Sequence, residues 1–233
     1  MRFCWLFFVL LGFPLFSSQP ALREVIDFKK TSNQFAEYSS PKLLALSDAF
    51  NGAPELSSFF RYLKRQYQID TVVETGTFRG ATTTLFSQIF KRVYTIEVSE
   101  SLFRGATYMF SGSQNVRCHL GSSEEVLSRI LPTLAGKSII FYLDAQWEDY
   151  WPLLGELEEI AKTHRDNCII VIDDVQVPER SDIPYDFYGD KCCSHEYVRP
   201  ALKKVFSKYS LHYVIPKSVH ARAKLVAIPM NWQ

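Results

Sequence analysis

VVETGTFRGATT, residues 72–83, decides how the rest of the chain is read. Val72 and Val73 belong to a short apolar run from Thr71 to Glu74, the pattern of a buried strand. A turn with glycines at 76 and 80 follows, and then a helical stretch over 81–90. Glycine lets a backbone turn tightly and approach a ligand with no Cβ in the way. The helix behind it offers first-turn N–H groups that have no partner within the helix. The glycine spacing is not that of the dinucleotide fingerprint G-x-G-x-x-G. An ordinary strand-to-helix turn uses the same residues, so this segment alone leaves a binding turn and a structural turn both open.

Outward from that turn, strand and helix patterns alternate. Strands are expected over 92–98, 116–120, 138–143 and 168–172, with helices over 101–110, 124–131 and 150–163. In the last of these, Leu153, Leu154, Leu157, Ile160 and Ala161 recur at helical spacing. A long helix over 196–209 precedes two strands, 211–215 and 224–228, with no helix between them. Short continuous apolar strands separated by helices predict an α/β fold: a Rossmann-like, doubly wound, mostly parallel sheet of seven strands, closed by an antiparallel C-terminal hairpin at one edge. Such sheets bind ligands beyond the carboxyl ends of their strands. Glu74, Glu97, Asp144, Asp173 and Asp174 all fall at such ends. Glu97 stands twenty-one residues beyond Gly76, where a strand-end carboxylate accepts both hydroxyls of a ribose.

Residues 22–70 read as a helical cap on the same domain, because Leu43, Leu44, Leu46, Phe59, Phe60 and Leu63 need cover. Ahead of them, Arg2 and an uncharged stretch over 3–16 lead to Ser17, Ser18, Gln19, Pro20 and Ala21. That is the shape of a signal peptide, and the run is short for a spanning helix, which needs roughly 20 apolar residues. An uncleaved anchor, giving membrane association through 3–16, is the alternative. Cytoplasmic, membrane-associated and exported locations all remain open. The chain has 233 residues, 26 basic and 25 acidic, which gives no electrostatic case for a nucleic-acid partner. Five cysteines are too few for a disulfide scaffold, and adjacent Cys192 and Cys193 lack the spacing of a zinc pair.

ETGTFRG followed by a strand-end acid resembles motifs I and II of class I S-adenosylmethionine-dependent methyltransferases, and the resemblance extends over roughly 55–230. It implies that Glu74 lies near the methionine amino group and that the turn from Gly76 through Thr77 to Gly80 passes under the cofactor. It also implies that Glu97 holds the ribose, that Gly121, Ser122 and Ser123 flank the adenine, and that Asp144 lines the same pocket. FYLDAQWEDYWPLL, residues 141–154, is similar to the region after the fourth strand of small-molecule O-methyltransferases, including the catechol type and bacterial antibiotic and sugar enzymes. In the catechol type, an Asp here and an Asp-Asn pair after the fifth strand bind magnesium. The resemblance therefore implies Asp144, Asp173 and Asp174 as ligands of Mg2+, with Asp in place of Asn. Magnesium favours a few carboxylate oxygens plus water, and three carboxylates gathered without a cation would repel one another. The alternative is that Asp144 lines only the cofactor pocket and Asp174 caps a turn.

The chain departs from that pattern at the general base. The catechol type carries Lys shortly after the first Asp, where Gln146 or Glu148 falls here; many relatives carry His in place of Gln146. The catalytic candidates are then Asp144 and His195, the latter entering the last long helix from a loop rich in aromatics. That loop, 178–194, is long enough to be functional, and Tyr185, Phe187 and Tyr188 with Trp147 are candidates to wall a substrate pocket. The expected activity is methyl transfer from S-adenosylmethionine to a small hydroxylated acceptor, assisted by magnesium. The rival is a non-catalytic nucleotide-binding α/β protein, exported or not; a dehydrogenase is disfavoured by the glycine spacing.

Overall fold

The computed structural model describes residues 24–146, 150–218 and 220–232. The leader over 3–16, and Trp147 and Glu148, lie outside the described residues. Among the described residues no helix is long and apolar enough to cross a membrane. The chain begins with β1 (Val25–Asp27), α1 (Phe28–Thr31), a 3-10 stretch, α2 (Pro41–Leu44), a 3-10 turn at Ala49–Asn51 and α3 (Leu56–Gln66). The alternation follows: β2 (Thr71–Thr75), α4 (Ala81–Ile89), β3 (Arg92–Glu97), α5 (Glu100–Met109), β4 (Val116–Leu120), α6 (Ser123–Ile130), β5 (Ile139–Leu143), α7 (Leu153–Thr163) and β6 (Cys168–Ile172). A small hairpin, β7 (Phe187–Tyr188) and β8 (Lys191–Cys192), precedes α8 (His195–Val205), β9 (Tyr209–Ile215) and β10 (Lys224–Pro229).

The sheet runs β1-β9-β10-β6-β5-β2-β3-β4. β10 is antiparallel to both its neighbours and every other pairing is parallel. The closing hairpin of β9 and β10 is present, but β10 lies inside it, against β6. The sheet has eight strands rather than seven: Val25–Asp27 adds a parallel strand outside β9, pairing Ile26 with Val214. Two helix boundaries also move. α7 starts at Leu153, behind Pro152, and α8 stops at Val205, whose carbonyl accepts from Asp166 N while Asp166 takes Ser207 N at 2.7 Å.

β2, β5 and β6 are buried at every position because both faces are covered. Val73, Phe141 and Ile170 point into a cluster built with Leu127, Leu157 and Leu202 from α6, α7 and α8. Their neighbours Val72, Ile140, Tyr142 and Ile169 point the other way, into Phe35, Phe50, Phe59, Phe60 and Phe86. The N-terminal segment is therefore the cover of one sheet face; Leu43, Phe59, Phe60 and Leu63 are buried there, whereas Leu44 is exposed.

Candidate active site

Strand register assembles the site. Thr75 pairs with Ile96 on one side and with Leu143 on the other, and Leu143 pairs with Ile172. The next residue of each strand, Gly76, Glu97, Asp144 and Asp173, therefore emerges at one level of the carboxyl edge. A cleft of about 400 Å3 opens there, lined by Gly76, Glu97, Gly121, Ser122, Ser123, Asp144 and Asp174, with Asn51, Phe78, Leu102 and Tyr150 at its walls. Glu97 is fixed by two backbone donors: Phe78 N reaches Oε2 at 2.7 Å and Ser99 N reaches Oε1 at 2.9 Å. Each oxygen retains a lone pair for a ligand.

The glycine turn is held from behind. Gly76 N and Thr77 N both donate to the Ile96 carbonyl, at 3.0 and 3.1 Å. Gly76 has φ +84°, and a Cβ there would meet the Asp144 carbonyl oxygen at 2.5 Å. The backbone that needs this glycine is therefore the loop after β5 rather than a ligand. Thr77, Gly80 and Glu74 do not line the cleft. Thr77 is buried and its hydroxyl lies 2.5 Å from that of Thr95. Gly80, with φ +76°, begins α4 against Met109 and Phe110. Glu74 is buried one step inside the sheet from Glu97 and Asp144, where Thr83 and Thr95 donate to its Oε2. Burial pushes its carboxyl up to about 7, against those two hydrogen bonds.

Beyond Asp144 a small cavity continues between Trp151, Glu156, Asp173, Asp174, Asp186, Tyr188 and Cys193. Trp151 stacks on Tyr197 at 4.9 Å between centroids and tilts against Tyr188 at 5.0 Å; Phe187 is exposed. Asp173 is fully engaged: Lys224 pairs with Oδ1, Tyr142 donates to Oδ2, and Asp174 N donates to Oδ1 at 2.6 Å. Asp174 has φ +57°; its Oδ2 pairs with Arg222 Nη1 at 2.8 Å, and its buried Oδ1 has no hydrogen-bond partner among the described residues. Burial raises the Asp144 carboxyl well above the usual range, and the Asp173 and Asp174 charges add to that; Lys224 opposes.

Two expectations find no support in this arrangement. Among the described residues no three His, Cys, Asp or Glu side chains are grouped to hold a metal. Asp144, Asp173 and Asp174 do not fit magnesium, because Lys224 and Arg222 already occupy two of them as counter-charges. His195 does not line the cleft: its Nε2 lies 2.9 Å from the Tyr209 hydroxyl, at the start of α8.

No family model matches this sequence, and no curated protein matches it by sequence. Solved structures do match. The O-methyltransferase TomG from Streptomyces achromogenes, involved in tomaymycin synthesis and solved with S-adenosylmethionine, superposes with a TM-score of 0.55 at 17% identity, over 82% of this chain and 91% of that one. An O-methyltransferase from Bacillus cereus, in complex with S-adenosylhomocysteine, gives 0.55 at 15%, over 83% and 90%. The S-adenosylhomocysteine-bound methyltransferase PaMTH1 of Podospora anserina gives 0.52 at 15%, over 86% and 95%.

The chain has the class I methyltransferase fold.

Within that methyltransferase fold, five residues around the site escaped the sequence reading: Phe78, Glu156, Asp186, Arg222 and Lys224. One signal was available. Lys224 opens the apolar run KLVAIP, and a lysine buried with 1% of its side chain exposed requires a carboxylate partner.

Proposed function

We propose that this protein transfers the methyl group of S-adenosylmethionine to a hydroxyl of a small acceptor. The observation that carries the reading is the Glu97 carboxylate, held by Phe78 N and Ser99 N at the rim of a cleft floored by Gly76. In this arrangement Glu97 accepts the ribose hydroxyls, and Gly121, Ser122 and Ser123 flank the adenine. Bound S-adenosylmethionine would supply an electrophilic methyl on a positively charged sulfur. Asp144 lies at the inner end of the cleft, and the positive sulfur beside it would favour the charged form of a carboxyl that burial otherwise holds protonated. Glu74 acts one layer back, bracing α4 and β3 through Thr83 and Thr95.

The acceptor approaches at the inner end of the large cleft, beside Asp144, Gln146 and Asp174; the cavity behind them, walled by Trp151 and Tyr188, has a volume of about 20 Å3 and admits no more than a water. Asp174 lies on the boundary between cleft and cavity. Its Oδ1 is buried with no hydrogen-bond partner among the described residues; a turn of the side chain would bring it to the acceptor, where it would take the hydroxyl proton as the oxygen bonds the methyl carbon and the methyl–sulfur bond breaks, releasing S-adenosylhomocysteine. The strained φ of Asp174 is consistent with a residue held for function. The TomG and Bacillus cereus structures hold donor or product in the same fold, which supports the choice of cofactor.

Calorimetry with S-adenosylhomocysteine, adenosine and NAD tests this. Saturable binding of the homocysteine conjugate, with adenosine much weaker and NAD absent, is expected. Adenosine binding as tightly as the conjugate would make this a nucleotide-binding protein without methyl transfer. A folded protein that binds none of the three would remove the reading.

A further inference from the structure

The acceptor end of the site carries Asp144, Asp173, Asp174 and Asp186 within two touching cavities. Carboxylates at this density need positive charge, a proton or a metal nearby. The chain supplies the positive charge itself. β10 runs antiparallel to β6 with Leu225 opposite Ile172, so the ladder brings Lys224 level with Asp173. The Lys224 ammonium closes on Asp173 Oδ1 and also donates to the Arg222 carbonyl at 2.9 Å. Two residues earlier, Arg222 Nη1 bridges Asp174 Oδ2, at 2.8 Å, and Asp186 Oδ1.

We propose that Lys224 and Arg222 are permanent counter-cations that take the place of a divalent ion here, so that the carboxylate cluster binds no metal. A cation tethered by its own side chain cannot dissociate, and a second, divalent charge beside it would be repelled through a poorly screened interior. An uncompensated carboxylate this deep would take up a proton instead of staying charged. Lys224 therefore keeps Asp173 ionised, and Arg222 holds Asp174 with one oxygen spoken for and the other turned loose. Both are positioning residues. Their bearing on methyl transfer rests on the function proposed above; the charge balance itself does not.

The test is calorimetric titration of the full chain with manganese chloride, alone and with S-adenosylhomocysteine present. The parent protein should show no saturable heat. Arg222→Met, at a side chain 34% exposed, frees Asp174 and Asp186 and should bind manganese roughly tenfold or more tightly than the parent, because the local repulsion is removed. Arg222→Lys keeps the charge and should remain blind to manganese; binding by the Met variant but not by the Lys variant is the contrast that a purely structural arginine would not produce. Lys224→Met should behave like Arg222→Met wherever it folds. One manganese bound per parent chain at micromolar concentration would overturn the proposal, and so would an Arg222→Met protein as indifferent as the parent. A parent that ignores S-adenosylhomocysteine would refute the methyltransferase reading while the manganese result still decides this one.

Discussion

A Cβ placed on Gly76 stands 2.5 Å from the carbonyl oxygen of Asp144 and 3.2 Å from the Cα of Ala145. Two loops of adjacent parallel strands touch there through backbone alone, and neither can retreat without leaving the sheet. Gly76→Ala adds that collision to a left-handed φ of +84°, a conformation costing a non-glycine residue about 1–2 kcal/mol by itself. The expected loss is on the order of 3 kcal/mol or more, roughly 6–12 °C in melting temperature for a domain of this size. Thermal melts without ligand check it. A Gly76→Ala protein that melts with the parent but no longer binds S-adenosylhomocysteine would show that the glycine serves the ligand instead.

Glu97 gives a separable effect. Glu97→Ala should weaken S-adenosylhomocysteine binding by about 1–3 kcal/mol through lost charge-assisted hydrogen bonds. It should also loosen the turn, because Phe78 N and Ser99 N lose their acceptor. Glu97→Gln keeps one carbonyl oxygen and should fall between parent and alanine. Equal affinities across the three proteins, measured by calorimetry, would take Glu97 out of the site.

The parallel core was legible because β5 and β6 are apolar throughout and β2 carries Val72 and Val73 at its centre, and each is followed by a carboxylate or glycine that cannot continue the run. The direction of those ends was harder to read. Alternation does not separate Glu74 from Glu97, because both fall on one sheet face; Glu74 lies one step further from the edge, buried against Thr83 and Thr95, while Glu97 lines the cleft. β1 escaped because Val25–Asp27 is too short to show a period. The counter-ions escaped because the pairing is remote in sequence: Arg222 and Asp174 stand 48 residues apart, and only the antiparallel placement of β10 beside β6 joins them. Three acidic strand ends in the sequence thus read as a metal cluster, when two were already neutralised from another strand.

His195 offers a separate check on the candidate base. Its ring is engaged with the Tyr209 hydroxyl and does not line the cleft. His195→Ala should leave S-adenosylhomocysteine affinity and methyl-transfer rate unchanged, at a stability cost of about 1 kcal/mol for one hydrogen bond. A fall in rate of two orders of magnitude in a protein of normal stability would restore it as a general base.

Glu156 sets a pH dependence whose sign follows from its burial. It lies on α7 beside the small cavity with 1% exposure, and burial pushes its carboxyl from 4.5 up to about 7, with the nearby Ser123 and Thr75 hydroxyls opposing. The folded state therefore holds a proton that the unfolded state has already released between those two values. Stability from this group is complete below pH 4.5, declines as pH rises toward about 7, and is flat above. A displacement of that size is worth about 3 kcal/mol. Glu156→Gln fixes the neutral form, so the variant should match the parent at pH 4.5 and exceed it by as much as about 3 kcal/mol at pH 8 in urea unfolding. Glu74, raised to the same value by the same cause, is untouched by that substitution. The variant should therefore keep part of the decline; Glu74→Gln in addition should reduce it further, leaving the share of the buried Asp144, Asp173 and Asp174 carboxyls, which burial also raises. A Glu156→Gln protein whose advantage is the same at both pH values would show that the side chain stays ionised in the fold.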